Sequence, residues 1–145
     1  MTRHPDPRLD SHRRLSRQES MRLLQLVTLG RIAFISRALP AIRLVSHIVQ
    51  DGHIIIGISN DLEISAILSS PGASLVVYEA DMVDMTTHLG WSVVVGGRAV
   101  PVTDPEEIAT VRPRIRGWAG SNPDLFVRIK PELVTGFHAG DGNSS

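Results

Sequence analysis

Arg43, His47 and Asn60 are the chemistry-bearing side chains that the sequence pattern brings closest together. Asp51-Gly52 is a two-residue turn signal, because both turn positions favour positive φ. Taking it as the loop pairs Gln50 with His53, His47 with Ile56, Val45 with Ile58 and Arg43 with Asn60. Alternation then predicts that Arg43, Val45, His47, Ile56, Ile58 and Asn60 share one face, with Ile42, Leu44, Ile48 and Ile55 forming a core on the other. An apolar middle ringed by a guanidinium, an imidazole and an amide suits a planar heteroaromatic ligand. The same face would serve equally well as a surface or a subunit contact. Asn60-Asp61-Leu62 opens a helix whose free N–H groups could hold a phosphate. Asp61 and Glu63 in that first turn would repel a dianion and suit ordinary compensation of the helix dipole. Both readings stand on the sequence.

Other constellations carry less. The six histidines (4, 12, 47, 53, 88 and 138) have neither HxH nor HxxxH spacing, so no zinc site is expected. There is no GxSxG elbow and no GxGxxG fingerprint. Glu79, Asp81 and Asp84 read as a solvated acidic rim. Trp91 opens a valine-rich strand, where an indole either packs in the core or stacks on a ligand at the strand end.

These residues need elements to hold them. Ser16 with Glu19 three residues on predicts a capping box and a helix stopping near Gly30. Strands are expected over residues 31–35, 41–49, 53–59, 74–79, 91–100, 125–129 and 133–138. The 74–79 and 91–100 segments are rich in valine and predicted to be buried on both faces. A helix capped by Asn60 or Asp61 runs through Leu68 to Pro71-Gly72, and Asp104-Pro105-Glu106-Glu107 opens another. Consecutive strands with few helices predict a small barrel and argue against a doubly wound sheet. Residues 1–16, with two prolines and four arginines, are expected to form a tail, 17–139 one domain, and 140–145 a frayed end.

Composition sets the outer bounds. The chain has 145 residues, 15 Lys plus Arg against 15 Asp plus Glu, and no cysteine. Charge balance argues against a nucleic-acid partner, and the missing thiols exclude disulfides and cysteine nucleophiles. No apolar run reaches membrane-spanning length and no secretory h-region opens the chain, so a cytoplasmic location with no membrane partner is expected.

Five blocks in order carry a resemblance: Leu29–Phe34, Leu39–His47, Val77–Asp81, Gly90–Ala99 and Ile129–Gly136. Together they resemble the pyridoxamine 5′-phosphate oxidase-like family of actinobacterial type, over about residues 17–138. The resemblance implies a mainly β fold with flanking helices (α+β), a split β-barrel of FMN-binding type, paired as a homodimer with FMN in clefts between subunits. Some relatives use the deazaflavin F420 instead. Where such proteins hold the flavin phosphate with cations, this chain has Ile58, Ser59 and Glu63. The implied cofactor contacts are Arg43, Val45, His47, Ser59, Asn60 and Trp91, with helix amides. The activity implied is an FMN-dependent oxidoreductase acting on a small-molecule substrate, with no residue standing out as acid, base or nucleophile. The alternative is a dimeric split-barrel binding protein that has lost FMN. A third reading makes the Arg-rich tail an interaction module.

Overall fold

Each α-helix among the described residues begins on a side chain that accepts from one of its free amides. The computed structural model describes residues 12–70 and 74–140. Ser16 and Glu19 form the reciprocal capping box of α1 (Arg17–Leu24). Asp61 caps α2 (Leu62–Leu68), and Asp104 caps α3 (Pro105–Val111) with proline in its first turn. The strands are β1 (Arg13–Leu15), β2 (Leu29–Ser36), β3 (Leu39–Gln50), β4 (His53–Ile58), β5 (Ser74–Val83), β6 (Gly90–Pro101), β7 (Leu125–Ile129) and β8 (Leu133–Ala139).

All eight strands form one antiparallel sheet in the order β1-β8-β6-β5-β2-β3-β4-β7, and a further β6–β7 pairing closes six of them into a barrel. The barrel splits along β6. Residues 90–96 of β6 pair with β8, whereas Ala99–Pro101 pair with β7. The chain passes from β7 to β8 directly over Gly97, where a Cβ would lie 1.7 Å from the Lys130 carbonyl oxygen. Only glycine permits that approach.

The main core fills the barrel with Ile32, Phe34, Val45, Ile54, Ile56, Tyr78, Val93, Val95 and Ile129, and Leu24 of α1 with Ile64 and Leu68 of α2 join it. A smaller core of Ile55, Val102, Val111, Ile115 and Phe126 packs the segment after α3 against the barrel wall.

The hairpin register is as expected from Gln50–His53 through His47–Ile56, and Asp51 and Gly52 both have positive φ (52° and 76°). Both faces are buried in part: Ile55 lies in the smaller core with Ile48 packed against it, as expected, but the other face is buried as well. Val45, His47, Ile56 and Ile58 point into the main core, while Ile42 is exposed. Asn60 lies beyond the end of β4 and does not pair with Arg43. Helix α1 ends at Leu24, capped by Gln25, well short of Gly30. Gly30 instead sits in β2, where a Cβ would fall 2.3 Å from Tyr78 Oη. The expected two-sided burial of the valine strands is also corrected, since Leu75, Val77, Val94 and Val100 are exposed along their outer faces. The expected tail is shorter than residue 16, because Arg13–Leu15 pairs with β8. Residues 1–11, Pro71-Gly72 and 141–145 lie outside the described residues.

Candidate functional site

The middle of β3, the end of β4 and the start of α2 meet at a cleft of about 200 Å³, lined by Arg43, Val45, Ser59, Asn60, Asp61 and Trp118 among others. Its charges are already matched. Arg43 Nε donates to Asp61 Oδ2 (2.8 Å) and Nη2 to Glu63 Oε1 (2.5 Å), while the guanidinium lies 5.5 Å from the Phe34 ring centroid. Asp61 also accepts from the Ile64 amide through Oδ1, and Ser36 Oγ donates to Glu63 Oε2. The hydrogen bond to Asp61 and the neighbouring carboxylates hold Arg43 still more firmly protonated than usual. One guanidinium between two carboxylates leaves a net negative corner with its cation committed. Ile58 offers no opening either: its side chain is 2% exposed and belongs to the main core. This end of the cleft therefore does not fit a flavin phosphate.

A second cleft, of about 320 Å³, continues along β3 on the other side of Trp118, with Ser46, His47, Arg114 and Arg116 in its lining. Trp118 lines both clefts and is 52% exposed. The segment that carries it is anchored by Ile115 in the smaller core.

Below this groove His47, 1% exposed, is a structural residue. Its Nε2 lies 2.9 Å from the Leu24 carbonyl oxygen, which can only accept, so Nε2 carries the hydrogen. Nδ1 is then an acceptor, and the Tyr78 hydroxyl donates to it. Burial pushes the His47 pKa down and that of Tyr78 up, so both stay neutral. Trp91 lies elsewhere, at a third cleft with His12, His88 and Phe137. The six expected cofactor contacts thus divide: Arg43, Val45, Ser59 and Asn60 share the first cleft, His47 borders the second, and Trp91 is apart from both.

Sequence reasoning passed over Ser46, Arg114, Arg116 and Trp118. The run Arg112-Pro113-Arg114-Ile115-Arg116-Gly117-Trp118 held a signal, namely alternating cations next to an indole. On the outer barrel wall, Arg31 bonds Glu79 (3.1 Å) beside Asp81. Burial and the hydrogen bond to Asp81 raise the Glu79 pKa to about 7 against the lowering effect of Arg31. No group of three or more His, Asp or Glu among the described residues could hold a metal ion, and no helix among them is long and apolar enough to cross a membrane.

The family model described as pyridoxamine 5′-phosphate oxidase matches residues 16–138. The chain belongs to that family. An uncharacterized protein of Mycobacterium tuberculosis is 46% identical over 124 residues, covering 84% of this chain and 82% of its own. A provisionally assigned pyridoxamine 5′-phosphate oxidase from Corynebacterium glutamicum superposes with a TM-score of 0.71 at 30% identity, covering 89% of this chain and 94% of the other. The FAD binding protein from Mycobacterium smegmatis does so with a TM-score of 0.69 at 27% identity, covering 88% and 98%. The split β-barrel is thus the family fold.

Proposed function

We propose that this family member is a cytoplasmic homodimer that binds a flavin along β3 and uses it as an oxidoreductase on a small molecule. The observation that carries this reading is the groove itself. The β3 backbone from Arg43 to His47 runs along it, and the half-exposed Trp118 lines both of its clefts. A strand backbone beside an exposed aromatic side chain suits a flat ring system. The likeness to the Mycobacterium smegmatis FAD binding protein supports a flavin as that ring. We assign FMN, with FAD and F420 as the other members of the class. A bound flavin supplies hydride transfer, and the chain supplies orientation and electrostatics.

The dimer rests on the outer sheet face. Ile42, Ala33, Val77, Gly96 and Leu133 are register neighbours running across β3, β2, β5, β6 and β8. Ile42, Val77 and Leu133 are exposed in the single chain, a row that a second copy would cover. A second reading, a split-barrel dimer that has lost its flavin, is favoured by the commitment of Arg43 to Asp61 and Glu63.

Incubation with FMN or FAD followed by gel filtration separates the two. The flavin reading expects a dimer that retains a visible flavin spectrum. A colourless dimer after both incubations supports the second reading, and a monomer removes the shared face.

A further inference from the structure

The two clefts flanking Trp118 differ in charge. The first holds Arg43 between Asp61 and Glu63. The second has Arg114 and Arg116 in its lining and, among the described residues, no carboxylate. Arg114 Nη1 donates to the neutral Gln50 Oε1 (2.6 Å), and neither arginine pairs with a carboxylate among the described residues. His47 adds no positive charge there, because its imidazole is neutral and engaged on both nitrogens.

The wall of this second cleft also contains an unsatisfied group. Ser46 is 2% exposed, and its hydroxyl has no hydrogen-bond partner among the described residues. A hydroxyl can donate as well as accept, and a buried one left without a partner favours any neighbour that accepts from it. Arg114 and Arg116, which line the same cleft, select the sign of that neighbour. Guanidinium forks match phosphate and carboxylate oxygens.

We propose that the cleft at Ser46, Arg114 and Arg116 is an anion-binding subsite of the β3 groove, taking a phosphate or carboxylate group. If the flavin reading above is right, the subsite places the flavin phosphate at this end of the groove, opposite Ser59 and Glu63. The anion comes either from the cofactor or from a separate anionic substrate, and the two sources can be told apart.

The test uses the full chain carrying Trp91→Phe, so that Trp118 is the sole indole. Inorganic phosphate is titrated against Trp118 fluorescence. The expected result is a saturable change, weakened about tenfold or more by Arg114→Gln with Arg116→Gln and unaffected by Arg43→Gln. No saturable response, or one lost with Arg43→Gln instead, overturns the subsite.

A second arm compares FMN with riboflavin, which lacks the phosphate. Tighter binding of FMN, with the advantage erased by the double arginine variant while riboflavin is unchanged, assigns the subsite to the cofactor. Equal binding of FMN and riboflavin, with Arg114- and Arg116-dependent phosphate binding, assigns it to a separate substrate. Failure of both flavins with that phosphate binding intact removes the flavin reading and leaves the subsite. An FMN advantage that survives the double variant and disappears with Arg43→Gln overturns the subsite.

Discussion

Replacing Tyr78 with phenylalanine tests whether His47 is held by a chain of two hydrogen bonds. The Leu24 carbonyl fixes the hydrogen on Nε2, so Nδ1 depends on the Tyr78 hydroxyl as its donor. Both side chains are fully buried, and water cannot replace the lost donor at no cost. Removing one oxygen leaves the packing nearly unchanged and strands Nδ1, at a cost of about 1–3 kcal/mol. For a chain of this length that corresponds to a melting point lower by about 3–9 °C. Urea unfolding at about pH 8 should show a lower midpoint with an unchanged slope. The same network fixes a pH dependence. Burial lowers the folded pKa of His47 below its ordinary 6.5, so the unfolded chain takes up the proton first. The contribution of neutral His47 is therefore present above about pH 6.5 and is lost as pH falls toward the folded value. A variant as stable as the parent at about pH 8 would refute the tautomer argument. Because Glu79 acts in the opposite sense over the same range, the pH test is made in the Glu79→Gln background. Stability there that does not fall from about pH 7 to about pH 5 would refute the burial argument.

Four further substitutions probe other parts of the molecule. Gly30→Ala puts a Cβ 2.3 Å from Tyr78 Oη and 2.6 Å from the Glu79 carbonyl oxygen, and should cost about 1–3 kcal/mol in thermal unfolding. A cost below about 0.5 kcal/mol would mean that β2 and β5 are more loosely packed than described. Glu79→Gln removes a carboxyl whose folded pKa of about 7 lies above its ordinary 4.5. That group's contribution is present below about pH 4.5 and lost as pH rises through about 7, so the variant should gain on the parent by roughly 1 kcal/mol between about pH 5 and pH 8, after allowing for solvent screening. A difference that does not change with pH would contradict this. Ile58→Arg buries a charge in the main core and should cost several kcal/mol, whereas Glu63→Gln touches a half-exposed pair and should cost under about 1 kcal/mol. Circular dichroism and soluble yield would check both, and a well-folded Ile58→Arg would place that side chain outside the core.

What the sequence revealed was mostly local. Ser16 with Glu19, Asp61, Asp104 with Pro105, and Asp51 with Gly52 each act within a few residues, and each cap or turn is where the sequence puts it. The Asp51-Gly52 turn set the β3–β4 register, and alternation sorted side chains into two faces. It could not say which face joins the main core, because isoleucines occupy both and one histidine is buried through distant partners. Tyr78 lies 31 residues from His47, and only barrel closure brings them together. The role of Gly30 was hidden for the same reason. Arg43 looked like a ligand contact because its carboxylate partners sit on the helix that follows the next strand. Trp118 and the two arginines were missed because their segment has no helical or strand period. Their position depends on Ile115 packing into the smaller core, a tertiary contact with no local signature.

The measurement closest to the central claim is an equilibrium titration of the cofactor-free protein with FMN, following Trp118 fluorescence in the Trp91→Phe background. A flavin lying along β3 predicts saturable quenching of Trp118 at about one flavin per chain, with Trp118→Ala weakening the binding by about tenfold or more when read from flavin fluorescence. Absence of saturable binding by FMN, FAD and F420 alike, or tight binding that Trp118→Ala leaves unchanged, would contradict it.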